Sequence, residues 1–192
     1  MTESIHQPLP KVYNDIVEAT ERSGFTMASD MLTGTLLRSL AASKPAGKFL
    51  ELGTGTGLST SWILDGMDQA ASLISIDNDP IFLEIASRFL SVDKRLHLIE
   101  IDGSKWIEEN KQHKFDYIFA DTWHGKYLCL QEVLLMLNKG GFYIIDDMLP
   151  QPNWPDGHDE KVNNLIKYLE AREDILLTKQ LWATGIIIAV KK

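Results

Sequence analysis

The chain has 192 residues, 44% of them hydrophobic and 24% charged, with a formal net charge of −8. That length suits one domain with a substantial core, and the acidic balance argues against a surface built to cover nucleic-acid phosphates or an anionic membrane, so the expected partner is a small molecule. One cysteine, Cys129, cannot form an internal disulfide, and no stretch reads as a leader or a bilayer span; the expectation is a cytoplasmic protein.

In chain order, residues 11–42 read as two helices joined around Ser23-Gly24, the second from about Ser29 to Ala42. Residues 1–47 form a helical cap over a sheet edge or ligand crevice, and 48–192 form the core of a single domain. The run KFLELGTGTGLST at 48–60 reads as strand, tight loop and helix. Four more short, β-rich runs follow at 71–77, 95–102, 115–121 and 142–147, each ending on aspartate. Helices are expected between them, over Pro80–Leu90 with its N1-type proline, Ser104 to about Glu109, and Tyr127–Leu137 before Asn138-Lys-Gly-Gly. The proline-rich stretch 148–158 is a loop, followed by a helix from about Asp159 to Ala171. Two strands, Ile175–Trp182 and Gly185–Val190, are joined tightly enough to be antiparallel. The fold class is α/β: a doubly wound, mostly parallel sheet with a C-terminal antiparallel strand pair.

The glycines at 53, 55 and 57 point to a nucleotide-like ligand, and the surrounding residues narrow which. A phosphate-binding P-loop needs Gly-Lys-Ser/Thr, whereas Gly57 is followed by Leu58-Ser59. The dinucleotide fingerprint needs glycine or alanine where Leu58 stands. Glu51, just before the loop, is a poor neighbour for pyrophosphate and a good one for a cationic ligand. Ligands of open α/β sheets bind beyond the carboxyl ends of the strands, so the terminal acids face one crevice. Asp77, 20 residues after Gly57, has the spacing of an acid that accepts hydrogen bonds from ribose hydroxyls. Asp102 is placed to take the exocyclic amine of an adenine, with Trp106 as a stacking face; the alternative is that these acids cap the helices that follow.

The succession FLELGTGTG, IDND, DGS and FDYIFAD resembles a class I S-adenosylmethionine-dependent methyltransferase over most of the chain. Within that superfamily, DTWHGKY at 121–127 and IIDD at 144–147 are similar to the catechol and caffeoyl-CoA O-methyltransferase group. GFTMASD at 24–30 matches where that group places a segment covering the cofactor, which assigns Met27 to the cofactor.

Residue by residue, the resemblance implies that Glu51, Gly53, Gly55 and Ser59 line the methionine end of S-adenosylmethionine. Asp77 would hold the ribose, Asp102, Gly103 and Ser104 would lie beside the adenine, and Asn78, Asp121 and Trp123 would complete the cofactor site. Trp123 would pack on the adenine or else cover the core. The group's divalent ion would fall on Asp121, Asp146 and Asp147. Three converging carboxylates would be forced towards protonation unless a hard cation neutralised them; Mg²⁺ is the natural candidate, with Mn²⁺ or Ca²⁺ as alternatives. A metal-bound hydroxyl loses its proton more readily and becomes the nucleophile.

The chain departs from the group's pattern in two places, having His124 where lysine is usual and Asp147 where asparagine is frequent. His124 is chemically able to act as general base, with Asp121 and Lys126 beside it and Lys126 competing for the role. Trp154 and His158 read as ordinary loop residues, with shaping of a substrate pocket as the alternative. The expected activity is methylation of a hydroxyl on a small, phenolic or catechol-like acceptor, in a protein whose relatives are usually homodimers. The alternatives are metal-independent N- or C-methylation and a non-catalytic S-adenosylmethionine binder.

Overall fold

A computed structural model describes residues 7–151 and 154–192, so residues 1–6 of the expected cap and Pro152 and Asn153 of the proline-rich loop lie outside the described residues. The strands are β1 (Lys48–Leu52), β2 (Ser72–Asp77), β3 (Leu96–Glu100), β4 (Phe115–Ala120), β5 (Leu137–Ile145), β6 (Ile175–Gln180) and β7 (Ile186–Lys191). They form one seven-stranded sheet in the order β3-β2-β1-β4-β5-β7-β6. β1 pairs in parallel with both β2 and β4, while β7 runs antiparallel between β5 and β6. The winding therefore reverses between β1 and β4, and their carboxyl ends open the crevice where such sheets bind ligands.

Strand alternation sends side chains to two separate apolar layers. Leu50, Leu52, Ile118, Ala120 and Tyr143 enter one layer; Phe49, Tyr117, Phe119 and Ile144 enter the other. The second layer is covered by α1 (Tyr13–Ser23), α2 (Met31–Ala42), α3 (Leu58–Gly66) and α4 (Pro80–Leu90). α1 and α2 pack on α3 and α4, over a face of the sheet instead of its edge. The segment between α1 and α2 borders the crevice. On the other face lie α5 (Gly103–Glu109), α6 (Leu130–Leu135) and α7 (His158–Glu170).

Capping sets several helix starts. Asp30 accepts from the Leu32 amide, and Asp79, before Pro80, accepts from the Ile81 and Phe82 amides.

Two local expectations fail. The helix expected over 127–137 is only Leu130–Leu135, and Asn138-Lys-Gly-Gly belongs to β5. Cys129 has φ 57, which no helix continues, while Leu137 already pairs with Phe115 and a register shift absorbs the glycines. Trp106 is no stacking face: it is 4% exposed, packed with Phe115 beneath α5.

Candidate functional site

A cleft of about 500 Å³ opens beyond β1, β2, β4 and β5. At one end the glycine loop forms its wall, with Gly53, Gly55, Ser59, Asp77 and Asn78 lining it. Gly53 takes φ 98, and a Cβ there would stand 2.7 Å from the Asp121 carbonyl oxygen, so this approach of loop to β4 admits only glycine. Asp77 fixes the loop by accepting from the Gly55 amide at 2.7 Å through Oδ2 and from the Asp79 amide at 2.9 Å through Oδ1. Phe25, stacked with Phe82 at 4.6 Å between ring centroids, and the exposed Met27 form a rim from the 24–30 segment. Of the expected 24–30 segment only Met27 is singled out by the sequence; Phe25 beside it and Phe82 on α4 are not, since an aromatic residue gives no sign of its partner until the chain is folded.

Glu51 lies elsewhere than expected. It is fully buried and absent from the cleft wall, because alternation turns it with Phe49 towards α3 while Leu50 and Leu52 take the opposite face. Ser59 donates to its Oε1 at 2.7 Å, and Thr60 and Ser75 donate to Oε2 at 2.6 and 2.5 Å. Burial pushes its carboxyl up to about 7, with the charge of Asp121 adding to the rise and the three hydroxyls opposing it. Glu51 is thus a polar pin that ties β1, β2 and the start of α3 beneath the loop.

Asp102 and His124 also change places relative to expectation. Asp102 caps α5 by accepting from the Lys105 amide at 3.0 Å; its carboxylate is held down by backbone hydrogen bonding and by His124, and neither it nor Ser104 lines the cleft. His124 Nε2 stands 3.4 Å from Asp102 Oδ2, with its ring so close over Gly103 that a Cβ there would meet Cγ at 2.7 Å. It borders a small side pocket with Asp77, Asn78, Ile101 and Gly103, which Asp121, Asp146 and Asp147 do not line. The geometry therefore separates His124 from Asp121 and Lys126, the residues with which the sequence reading grouped it.

The opposite end of the cleft gathers Asp121, Asp146, Asp147, Lys126, Tyr127 and Thr184. Gly125, with φ 83, lets residues 123–128 wind back so that the amides of Lys126, Tyr127 and Leu128 all donate to the Trp123 carbonyl. This turn sends Lys126 inward, only 5% exposed, with Nζ 3.6 Å from Asp121 Oδ1. Ser29 donates to Asp121 Oδ2 at 3.1 Å. Asp146 Oδ1 accepts from the Thr184 hydroxyl and, at 2.8 Å, from the Asp147 amide. Asp147 has φ 58, a left-handed conformation that aspartate tolerates better than most residues. Burial raises the carboxyl pKa of both Asp146 and Asp147, and Asp121 raises them further; Lys126 pulls Asp147 back.

The donor set does not fit the expected divalent ion. Among the described residues no three His, Cys, Asp or Glu side chains are gathered so as to hold a metal. An ammonium already faces Asp121, and three carboxylate oxygens of Asp121 and Asp146 are engaged by protein donors.

Aromatic rings complete this end. Trp123 stands edge-on to Tyr127 at 5.7 Å and 6.0 Å from His158, and His158 lies 4.6 Å from Trp154. Trp123 lines the main cleft with these rings and does not border the small side pocket. His158 shares a 3.3 Å hydrogen bond with the Tyr127 hydroxyl, while its buried Nδ1 has no partner among the described residues. Burial, with Lys126 and Lys161 nearby, lowers its pKa; Tyr127 is pushed up to about 12 by burial and by Asp147.

The reversed strand order, the glycine loop on β1 and the acid ending β2 define a class I methyltransferase fold. The O-methyltransferase family profile matches residues 3–185, and the chain belongs to that family. It is 31% identical over 145 residues to catechol O-methyltransferase B of Danio rerio, covering 70% of this chain and 54% of that protein, so the chain spans about half the relative's length. Among solved structures, an O-methyltransferase from Bacillus cereus in complex with SAH superposes with a TM-score of 0.82 at 18% identity, over 98% of this chain and 94% of that one. The O-methyltransferase TomG from Streptomyces achromogenes, in complex with SAM, gives 0.81 at 20% identity, over 98% and 92%.

Proposed function

We propose that the chain transfers a methyl group from S-adenosylmethionine to a hydroxyl of a small aromatic acceptor. The observation that carries this reading is the continuity of one cleft from the Gly53–Asp77 end to the Asp121–Asp147 end, with the acceptor rings on its far wall. At the first end, Asp77 accepts from the ribose hydroxyls and Met27 and Phe25 cover the cofactor. Five aspartates line the cleft, a field suited to a sulfonium cation.

At the second end, Trp123, Tyr127, Trp154 and His158 offer faces and edges to an aromatic ring. The acceptor hydroxyl gives its proton to a carboxylate, for which Asp147, less buried than Asp146, is best placed. Its oxygen forms a bond to the methyl carbon while the carbon–sulfur bond breaks and the electron pair passes to sulfur. Alignment of oxygen, carbon and sulfur supplies much of the acceleration. Lys126, paired with Asp121, is a poor candidate for the base role, which moves to the carboxylates.

Calorimetric titration with S-adenosylmethionine, followed by mass spectrometry of reactions with a panel of catechols, phenols and aliphatic alcohols, tests the proposal. Binding at one cofactor per chain and methylation confined to aromatic hydroxyls are expected. Absence of cofactor binding overturns the reading, and exclusive methylation of aliphatic acceptors overturns the assignment of the rings.

A further inference from the structure

Five aspartates line the cleft, and among the described residues Lys126 is its one Lys or Arg side chain. A lysine does not become 95% buried without compensation, and here the compensation is Asp121 at 3.6 Å, in a wall shared with Asp146 and Asp147. The backbone is shaped to put it there. The left-handed Gly125 and the three amides closing on the Trp123 carbonyl turn the lysine inward, and the Tyr143 hydroxyl, donating to the Gly125 carbonyl, holds the turn from β5.

We infer that Lys126 Nζ is the resident cation of this site, paired with Asp121 in place of a divalent ion. Three observations support it independently of any activity. The ammonium stands beside the carboxylate through which β4 would contribute to an ion, and like charges exclude each other from one small space. Asp121 Oδ2 already accepts from Ser29, and Asp146 Oδ1 from Thr184 and the Asp147 amide. A hard dication is held by several oxygens turned to one point, and among the described residues no three His, Cys, Asp or Glu side chains are gathered so as to hold one. A lysine covalently fixed in the wall does the electrostatic part of the task without that demand.

This inference rests on the methyl-transfer reading for the use of the site, though not for its charge balance. The test is titration of Mn²⁺ into the EDTA-dialysed full chain, followed by electron paramagnetic resonance and calorimetry, with S-adenosylmethionine titrated separately. Wild type is expected to take up no stoichiometric Mn²⁺ below millimolar concentration and to bind the cofactor equally with and without EDTA. Lys126→Met, which leaves the carboxylates uncompensated, is expected to gain Mn²⁺ affinity at least tenfold, and its melting temperature should rise on adding Mn²⁺. Lys126→Arg, which keeps a cation, should stay silent. Micromolar Mn²⁺ binding by wild type overturns the inference without needing any variant. A folded Lys126→Met chain as indifferent to Mn²⁺ as wild type overturns the role given to Lys126. Failure of S-adenosylmethionine to bind, by contrast, removes the proposed function and leaves the Mn²⁺ result to stand by itself.

Discussion

The two ends of the cleft are built on opposite principles. The glycine-loop end is local: residues 51–60 supply the turn and the buried carboxylate with two of its hydroxyl donors, and Asp77 on the next strand ties the loop down through backbone amides. Its shape comes mostly from backbone, so it changes little with side-chain substitution at the wall. The carboxylate end is assembled from Ser29, Asp121, Lys126, Asp146–Asp147, His158 and Thr184, brought together by five separate stretches of chain. There the shape depends on charge balance. A backbone site can be recognised from a short motif; a charge-balanced one has to be seen folded.

The widest separation between the ends should come from Asp77→Ala, which removes both the proposed ribose acceptor and the tether on the Gly55 amide. With two charged hydrogen bonds lost, S-adenosylmethionine affinity is expected to fall roughly 100- to 1,000-fold, while acceptor affinity of the cofactor-loaded enzyme changes little. Calorimetry with each ligand checks both halves, and an equal loss for both would erase the distinction between the ends.

Glu51 should report on the loop through pH. Its folded carboxyl titrates at about 7 against 4.5 in the unfolded chain, so the folded state keeps a proton that the unfolded state releases between those values. Stability from this group is therefore fully present below pH 4.5 and is lost as pH rises to about 7. The loss amounts to about 3 kcal/mol. Glu51→Gln should flatten the wild-type decline in urea midpoint over that window, leaving the part that Asp146, shifted in the same direction, contributes. An unaltered slope would mean that Glu51 is not the buried acid responsible.

Trp154→Ala tests the far wall. Removing the ring next to His158 should raise the KM for an aromatic acceptor roughly tenfold and leave the KM for S-adenosylmethionine within twofold, the value of one lost aromatic contact. Equal effects on both would place Trp154 against the cofactor.

How much of this was legible in the sequence follows the same division. The sheet, its antiparallel tail and the α4 boundaries came from period-2 runs and capping residues, signals confined to a few neighbouring positions. Gly53, Gly55, Ser59, Asp77 and Asn78 line the cleft as expected. Glu51 was misread because spacing gives a residue's position along the strand, while the side of the sheet it faces follows from which neighbours the helices bury. The helix expected over 127–137 failed because apolar content at 128–137 serves equally well for a turn, a short helix and the start of β5. Lys126 and His124, two residues apart, were indistinguishable as bases until the positive φ of Gly125 turned one of them into the cleft. Thr184 and Ser29 carried no signal at all, since a hydroxyl becomes informative only when the carboxylate it serves is known.

His124 offers the finest test of the comparison, because sequence spacing assigns it to the catalytic end and the fold gives it to the other. Its ring rests on Gly103 and its Nε2 faces Asp102, beside the pocket that Asp77 and Asn78 border. His124→Gln keeps a polar group of similar reach but loses the ring. The KM for S-adenosylmethionine should rise only about threefold, and kcat at saturating cofactor should stay within about twofold, the pattern of uniform binding lost without loss of transition-state stabilisation. The pH profile of kcat should be unchanged, since in the proposed reaction the proton leaves towards the carboxylates. A fall in kcat of two orders of magnitude with unaltered cofactor KM would return His124 to the chemistry and dissolve the division between the two ends.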